Sequence, residues 1–228
     1  MDITYLGHSA FKLRGKDATV ITDPYAKSVG LTMPKVNADI VTVSHDHEDH
    51  NFIAAVTGTS RRPEPFIIKA PGEYEVSGVS VFGISAFHDN VGGKDRGKNI
   101  IFVIHLDGVT VGHLGDLGHL VTAEQLAELS GVDVLLCPVG GVYSLGPEQA
   151  AAVVNEVSPA IVVPMHYATA GLNPAIFGQL KPVEDFIKAL GLATETLDKL
   201  TVSPATIPEE TTLIVLANQA HSRTKIHS

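Results

Sequence analysis

The feature that most constrains this chain is a polar run of eight residues, 44–51 (SHDHEDHN), which directly follows the apolar run 40–43 (IVTV). Short, β-branched apolar runs that are bounded by polar residues are typical of buried strands. The apolar residues 52–56 come next and predict the first turns of a helix that ends at Gly58. Three histidines and three carboxylates therefore crowd the turn between a predicted strand and a predicted helix.

This density of ligand atoms points to a metal site. Packing does not require it, because a surface turn can be built from Gly, Asn or Ser. Imidazole nitrogens and carboxylate oxygens, however, are the groups that bind Zn²⁺ and similar ions in hydrolytic sites. Alternate residues of an extended chain point the same way, so we expect His45 and His47 to bind one ion. Asp49 and His50 follow where the chain bends, and we expect them to face a second ion.

The spacing H-x-H-x-D-H at residues 45–50 resembles the signature of the metallo-β-lactamase superfamily. Three later residues resemble the rest of that pattern: His88 at the end of a predicted strand, Asp116 after a predicted hairpin, and His166 after a buried apolar run. The resemblance implies two metal ions. Its implied ligands are His45, His47 and His88 for the first ion, Asp49, His50 and His166 for the second, and Asp116 as the bridge between them.

Further residues near the N-terminus extend the resemblance. His8 lies in a Gly-His-Ser turn and Asp23 in a Thr-Asp-Pro sequence, as in the ascorbate-phosphate lactonase-like and phospholipase D-like branch of the superfamily. His8 is either a polar turn residue or a catalytic residue at the mouth of the site, where it is a candidate acid for the leaving group. Asp23 either anchors a loop or hydrogen-bonds a ligand histidine. Asp49 is a further catalytic candidate that would orient the nucleophile, whereas His113 and His119 are expected outside the ligand set.

The fold class that the resemblance implies is α/β, a four-layer αββα sandwich of two mixed β-sheets with outer helices. The sequence pattern agrees with it: a β-meander over residues 3–21, a hairpin across Asp107-Gly108, and two tandem strand–helix–strand units over residues 109–163. Helices are predicted at 123–129, 147–157 and 183–190, and strands at 196–202 and 211–217. We expect a single domain over residues 1–217, followed by a polar tail at 218–228.

Composition limits the partners and the location. Sixteen basic and 25 acidic residues give a formal net charge of −9, which leaves no electrostatic footprint for nucleic-acid binding. The single cysteine, Cys137, lies in an apolar run and is interpreted as a buried, inert thiol rather than a catalytic one. Neither a signal peptide nor an apolar run of about 18 residues is found, so a cytoplasmic protein without a membrane partner is expected.

The function that the resemblance implies is hydrolysis, in which a hydroxide bridged by two metal ions cleaves an ester, lactone or phosphodiester-type bond. Two zinc ions are the first expectation, although manganese, nickel and iron also bind mixed nitrogen and oxygen sites. His47 stands where flavodiiron oxidases carry Glu, which favours hydrolysis over oxygen reduction. Two alternatives stay open: an iron-dependent oxygenase or sulfur-oxidising enzyme on the same scaffold, and a non-catalytic metal-binding regulatory protein.

The loop 89–99 bears on the substrate, because it carries glycines together with three cations, Lys94, Arg96 and Lys98. It is either a flexible solvated loop or a mobile flap whose cations meet an anionic substrate. The expected partner is thus a small molecule, anionic on the second interpretation. The sequence does not identify the substrate, the residue that protonates the leaving group, or the oligomeric state.

Overall fold

The computed structural model describes residues 1–222, with side chains for residues 1–220, and places sixteen strands there. The first eight strands are β1 (Asp2–Gly7), β2 (Ala10–Arg14), β3 (Thr19–Thr22), β4 (Val36–Asn37), β5 (Ile40–Thr42), β6 (Val56–Thr57), β7 (Phe66–Ile68) and β8 (Gly72–Val76). The other eight are β9 (Val79–Phe87), β10 (Lys98–Leu106), β11 (Val109–His113), β12 (Val134–Pro138), β13 (Ile161–Met165), β14 (Thr194–Leu197), β15 (Leu200–Thr201) and β16 (Thr212–Leu216). The helices are α1 (Ala123–Glu128), α2 (Pro147–Val157), α3 (Pro174–Phe177), α4 (Val183–Leu190) and α5 (Gln219–Ser222).

Two large mixed sheets and one small sheet contain these strands. The six-stranded sheet has the order β15-β1-β2-β3-β5-β7, and the eight-stranded sheet has the order β14-β16-β13-β12-β11-β10-β9-β8. Hairpin neighbours such as β10 and β11 pair antiparallel, whereas strands joined through helices, such as β12 and β13, pair parallel. Strands β4 and β6 form a separate two-stranded sheet. The predicted α/β sandwich of two mixed sheets is confirmed.

The core lies between the two large sheets, and the period-2 pattern of the strands explains how it is filled. Tyr5 and Phe11 point inward and share one buried cluster with residues of the eight-stranded sheet. Their neighbours Leu6 and Ala10 lie in a second cluster on the opposite face of the six-stranded sheet. Successive side chains of a strand point to opposite faces, so β1, β2, β3 and β5 each supply both clusters.

The outer layers of the sandwich are unequal. Helices α1, α2 and α4 cover the eight-stranded sheet, with α2 in contact with both β12 and α4. The six-stranded sheet is covered instead by the one-turn helix α3 and by the 3₁₀ turn Lys27–Val29, so this layer is thin.

The helix predicted over residues 52–56 is wrong, and the 3₁₀ turn Ile53–Ala55, which has no buried residue, stands in its place. Only a 3₁₀ turn forms, because the β-branched pair Val56–Thr57 continues as β6 and pairs with β4.

The C-terminal region also departs from the sequence prediction. The single strand predicted over 196–202 is wrong, because the chain leaves β14 in the eight-stranded sheet and re-enters the six-stranded sheet as β15. In the predicted tail, 218–228, residues Gln219–Ser222 form α5 and Ala220 packs against the second cluster. The remaining tail residues, 223–228, lie outside the described residues, and the single domain over 1–217 stays a prediction. Among residues 1–222, no helix is both long enough and apolar enough to cross a membrane.

The topology brings the predicted site residues to one edge of the sandwich. The turns after β1, β3, β5, β9, β11 and β13 all open there, and backbone hydrogen bonds tie them together. The His166 N–H donates to the His8 carbonyl at 2.9 Å, and the Ile100 N–H donates to the Ser44 carbonyl at 2.9 Å. Both bonds link the six-stranded sheet to the eight-stranded sheet, so the two halves of the chain are held in register at this edge.

Candidate metal centre

The seven predicted ligands converge into one cluster at this edge, together with His8. Three overlapping groups each hold potential ligand atoms that lie within 4.8 Å of one another. The groups are His45, His47 and His88; His45, His50 and Asp116; and His8, Asp49, His50 and His166. Residues from five different turns thus meet, although more than a hundred positions separate His45 from His166 in the sequence.

Asp116 occupies the centre of the cluster. Its Oδ2 lies 3.2 Å from His166 Nε2, 3.4 Å from His50 Nε2 and 3.6 Å from His88 Nε2. Burial raises the pKa of this carboxyl, but the neighbouring His166 and His50 outweigh burial and hold the pKa well below its usual range. Asp116 is therefore ionised and faces imidazoles of both predicted metal sites, which is the position that a bridging ligand needs.

The backbone at Gly115 allows Asp116 to reach this position. Gly115 has φ +56, and a Cβ there would lie 2.4 Å from Asn99 Oδ1 and 2.6 Å from Ser44 Cβ. The Asp116 N–H donates to the same Asn99 oxygen at 3.0 Å, and the His113 Nδ1 accepts from the Gly115 N–H at 3.2 Å. Only glycine fits both the left-handed backbone and the close approach.

Asp23 fixes the orientation of the first motif. Its fully buried carboxylate accepts hydrogen bonds from the Ser44 N–H at 2.8 Å, from the Ser44 hydroxyl at 2.5 Å and from His50 Nδ1 at 2.9 Å. Burial raises the pKa of Asp23, but the charges of His113 and His50 and the hydrogen bond from His50 leave it lowered. The structure contains both interpretations of Asp23, because the carboxylate anchors the loop at Ser44 and contacts the ligand histidine His50.

His8 lies inside the cluster, so its predicted place at the mouth of the site is wrong. The residue is 2% exposed, and its ring centroid is 4.2 Å from that of His166. Its Nε2 lies 3.1 Å from Asp49 Oδ2. Burial and the nearby His166 lower the pKa of His8 to about 4 despite Asp49, so the ring is neutral at pH 7 and Nε2–H donates to the carboxylate.

The cluster fits a divalent cation. Several of its buried polar atoms have no hydrogen-bond partner among the described residues; they are His8 Nδ1, His45 Nε2, His50 Nε2, His88 Nδ1, both ring nitrogens of His166, and Asp116 Oδ1. A buried polar atom without a partner costs about 1–3 kcal/mol, so a group of them at one point requires an explanation.

Burial lowers the pKa of His45 to about 2, with His50 adding to the effect, which leaves a neutral imidazole with a free lone pair. Neutral imidazole and carboxylate are the donors that Zn²⁺ accepts.

Two other histidines near Asp116 stay outside the cluster, as predicted. His113 is buried, and its Nε2–H donates to the Ser9 carbonyl at 2.9 Å, so both of its ring nitrogens are used by the backbone. His119 Nε2 accepts from the Phe87 N–H at 3.2 Å. Burial raises the pKa of Cys137, which supports its interpretation as an inert thiol.

A pocket of about 210 Å³ opens onto the cluster and is roofed by Arg96, Tyr143 and Phe177. The Arg96 guanidinium donates to the Val142 carbonyl at 2.9 Å and lies 5.0 Å from the Tyr143 ring centroid. The loop 89–99 is held together from within, because Asp89 accepts four backbone N–H hydrogen bonds. These bonds, which outweigh burial, lower the pKa of Asp89 to about 2. The loop is therefore ordered in this conformation, and its role as a flap stays a prediction.

Sequence reasoning missed two residues that hold the cluster in place, Ser44 and Asn99. Ser44 entered the sequence argument only as the first residue of the polar run, and Asn99 lies in a strand with no local pattern that marks it. Their partners, Asp23 and Asp116, are distant in the sequence, so only the folded chain reveals the contacts.

Comparisons with known proteins agree on one family. A model described as a beta-lactamase superfamily domain matches residues 2–166. A protein of Thermococcus onnurineus named UPF0173 metal-dependent hydrolase is 34% identical over 190 residues, which cover 73% of this chain and 84% of that protein. A solved structure from Thermotoga maritima, described as a candidate Zn-dependent hydrolase of the metallo-beta-lactamase superfamily, is 37% identical with a TM-score of 0.78, over 96% of this chain and 99% of that chain. The structure of Igni18, a metallo hydrolase of Ignicoccus hospitalis, shares the fold with a TM-score of 0.64 at 22% identity, over 95% of this chain and 94% of that chain.

Proposed function

This chain belongs to the beta-lactamase superfamily and is one of its UPF0173 metal-dependent hydrolases, and from that premise we propose that it uses two zinc ions to cleave an ester, lactone or phosphodiester-type bond. One observation supports the two-ion form of the proposal above all. Asp116 lies within 3.6 Å of His50, His88 and His166, so a single carboxylate faces imidazoles assigned to both sites. A carboxylate with one oxygen free of protein partners suits a bridge between two cations.

The proposed ligand sets follow the grouping of the side chains. His45, His47 and His88 would hold the first ion; Asp49, His50 and His166 the second; Asp116 both. When bound, two divalent ions supply a water of lowered pKa and an electrophilic contact for the substrate oxygen. Zinc is proposed because it matches the donor set and the description of the Thermotoga maritima structure.

Asp49 is the proposed catalytic residue of the chain. Asp49 and Asp116 both line the pocket, but the side chain of Asp49 is 23% exposed and that of Asp116 only 2%, so Asp49 is the more accessible carboxylate. Burial raises the pKa of Asp49, but His50 and His8 outweigh burial and keep this pKa below the usual range. An ionised carboxylate at the pocket can accept a hydrogen bond from the attacking water and so orient it.

His8 acts on the reaction through Asp49, so we propose it as a positioning residue rather than as the acid for the leaving group. Its Nε2–H is used by Asp49 at 3.1 Å, and its ring packs against His166 and Phe177 with centroid distances of 4.2 and 5.0 Å. The buried ring offers no exposed face to a leaving group. A fixed His8 therefore holds the carboxylate of Asp49 in one orientation.

A small-molecule substrate is proposed, because the pocket over the cluster holds about 210 Å³ and the net charge of −9 disfavours a polyanion. A cytoplasmic location is part of the same proposal.

The test is metal content followed by turnover. Purified protein is expected to carry about two zinc ions per chain and to hydrolyse at least one member of a panel of esters, lactones and phosphodiesters. Asp116→Ala and His47→Ala are expected to lose metal and turnover while the fold survives. His105→Ala removes an exposed histidine outside the cluster and serves as the matched control.

Iron in place of zinc, together with oxygen uptake, would instead support the oxygenase alternative. Full occupancy by metal with no turnover on any panel member would support the regulatory alternative.

A further inference from the structure

A second and larger cavity, of about 820 Å³, lies beside the metal centre where the edges of the two large sheets meet. Residues 69–71, which connect β7 to β8, form one wall, while the end of β9 and the start of β10 form the other. His45 and His47 line it on the side of the cluster. Binding sites for small molecules typically measure about 300–1,000 Å³, so this cavity has the size of a ligand site.

The two cavities meet at the metal centre. His47 and Arg96 line both the 820 Å³ cavity and the 210 Å³ pocket over Asp116. Arg96 is held between them by its hydrogen bond to the Val142 carbonyl and by the Tyr143 ring. The smaller pocket has room for a reacting group and a few further atoms. A larger substrate that extends past His47 and Arg96 enters the larger cavity.

Much of the lining of the larger cavity is apolar. Val43, Ala86 and Ile100 contribute buried side chains to it, and the side chain of Phe87 is 40% exposed beside them. A large aromatic side chain left this exposed gains free energy when a ligand removes it from water, at about 25 cal/mol per Å² of apolar area. The cavity therefore favours a ligand with an apolar body.

The charged groups of this cavity are mostly cations, although the chain as a whole carries −9. Lys69, Arg96 and Lys98 line it, and among the described side chains none of the three has a carboxylate within 4.0 Å. Asp46 is the one carboxylate of the lining, and its Oδ1 accepts from Asn51 Nδ2 at 2.7 Å. Because Lys69 follows β7 and Lys98 begins β10, each large sheet supplies one free ammonium group.

We propose that the larger cavity binds the non-reacting part of the substrate, and that the substrate is an amphipathic anion. Its apolar acyl or aryl group lies against Val43, Ala86 and Phe87, and its carboxylate, phosphate or sulfonate pairs with Lys69 and Lys98. Charge-assisted contacts of this kind select for anions over neutral molecules of the same shape. The proposal rests on the proposed function, since it assumes that the reacting bond lies at Asp116.

Two dyes that share their rings and differ in one charge test the proposal on the metal-loaded protein. The anion 8-anilinonaphthalene-1-sulfonate and the neutral N-phenyl-1-naphthylamine are titrated by fluorescence against wild type and variants. K69Q/K98Q is expected to weaken binding of the anionic dye by about tenfold or more and binding of the neutral dye by less than about twofold. K16Q/K188Q is the matched control, since both lysines are exposed and outside the lining, and it is expected to change neither affinity.

Ala70→Trp fills the cavity from an exposed position and is expected to weaken binding of both dyes while metal content is retained. The proposal is overturned if the anionic dye shows no saturable binding to wild type. It is also overturned if K69Q/K98Q binds that dye as tightly as wild type does, or if Ala70→Trp binds the dyes as wild type does. None of these measurements requires turnover. A protein that binds the dyes as expected but hydrolyses nothing would therefore count against the proposed function and not against the cavity.

Discussion

Asp23 and His50 form a fully buried pair in which the His50 Nδ1–H donates to Asp23 Oδ2 at 2.9 Å. The same carboxylate accepts from the N–H and the hydroxyl of Ser44, so one side chain fixes both ends of the turn 44–50. With Nδ1 occupied, His50 presents Nε2 to Asp49 and Asp116, at 3.4 Å from each. The tautomer and the direction of this ligand are thus set by a residue outside the ligand set.

Asp23→Asn is expected to weaken zinc binding by about 10–100-fold, which is the usual cost of losing a partner that orients a metal ligand. The amide can also donate to His50 Nδ1 and so favour the wrong tautomer. The dissociation constant is measured by competition with a chromophoric chelator. Asp17→Asn changes an exposed carboxylate in the turn between β2 and β3, at the opposite edge of the same sheet, and is expected to leave the constant unchanged; equal constants for both variants would show that Asp23 has no part in the site.

The first motif could be predicted from sequence because its ligands are close together in the chain and exceed what a turn requires. His88, Asp116 and His166 were located only through resemblance, since a lone histidine or aspartate after a strand has no local pattern. The partner Asn99 was missed because its contacts with Leu114 and Asp116 join residues that are distant in the sequence.

Among the secondary structure elements, those with strong local signals were predicted correctly, such as the Asp107-Gly108 hairpin and the helix over residues 147–157. The helix at 52–56 was not, because apolar content alone does not separate a helix from a 3₁₀ turn followed by an edge strand. The break between β14 and β15 was missed for a similar reason, since a run of strand-forming residues does not show which sheet each part joins.

Gly115→Ala is expected to destabilise the metal-free protein by about 3 kcal/mol, because it combines a left-handed backbone with a clash against Asn99 and Ser44. Gly131→Ala separates the two effects, since Gly131 also has positive φ, at +79, but has open space around its Cβ position. That variant is expected to cost about 1–2 kcal/mol. Urea unfolding after chelator treatment measures both. Equal losses would mean that the close approach at Gly115 carries no cost.

Metal binding is expected to release about one proton per chain from His50 at pH 7. Burial lowers the pKa of His50, but the carboxylates of Asp116 and Asp49 outweigh burial and raise the pKa well above its ordinary value. The metal-free protein therefore carries the proton below that raised pKa, and a metal ion must displace it, so zinc affinity rises with pH. Calorimetric titration in two buffers of different ionisation enthalpy gives the number of protons. A buffer-independent enthalpy at pH 7 would contradict the assignment.

His8→Asn is expected to lower kcat by about 10–100-fold while metal content changes little, because Asp49 loses the donor that orients it. Asn is chosen because His8 has φ +57, a left-handed conformation that Asn tolerates better than most residues. The readout is kcat and KM for whichever ester or lactone the panel identifies, together with metal analysis. A loss of metal equal to the loss of activity would instead make His8 a ligand of the second ion.

Asp89→Asn is expected to loosen the loop 89–99, because a neutral amide oxygen cannot replace a carboxylate that accepts from the N–H groups of Val91, Gly93, Asp95 and Arg96. The pKa of Asp89 is lowered to about 2 from an ordinary 3.8, so its contribution to stability is complete above pH 3.8 and is lost as the pH falls through 2.

At pH 7 the wild-type loop is therefore fully held, and the variant is expected to be cleaved faster within 90–98 by a broad-specificity protease. Asp95→Asn, an exposed carboxylate of the same loop, is the matched control. Equal cleavage rates for the two variants would show that Asp89 does not hold the loop. Because Arg96 lies at the meeting point of the two cavities, the loosened loop is also expected to raise KM more than it lowers kcat.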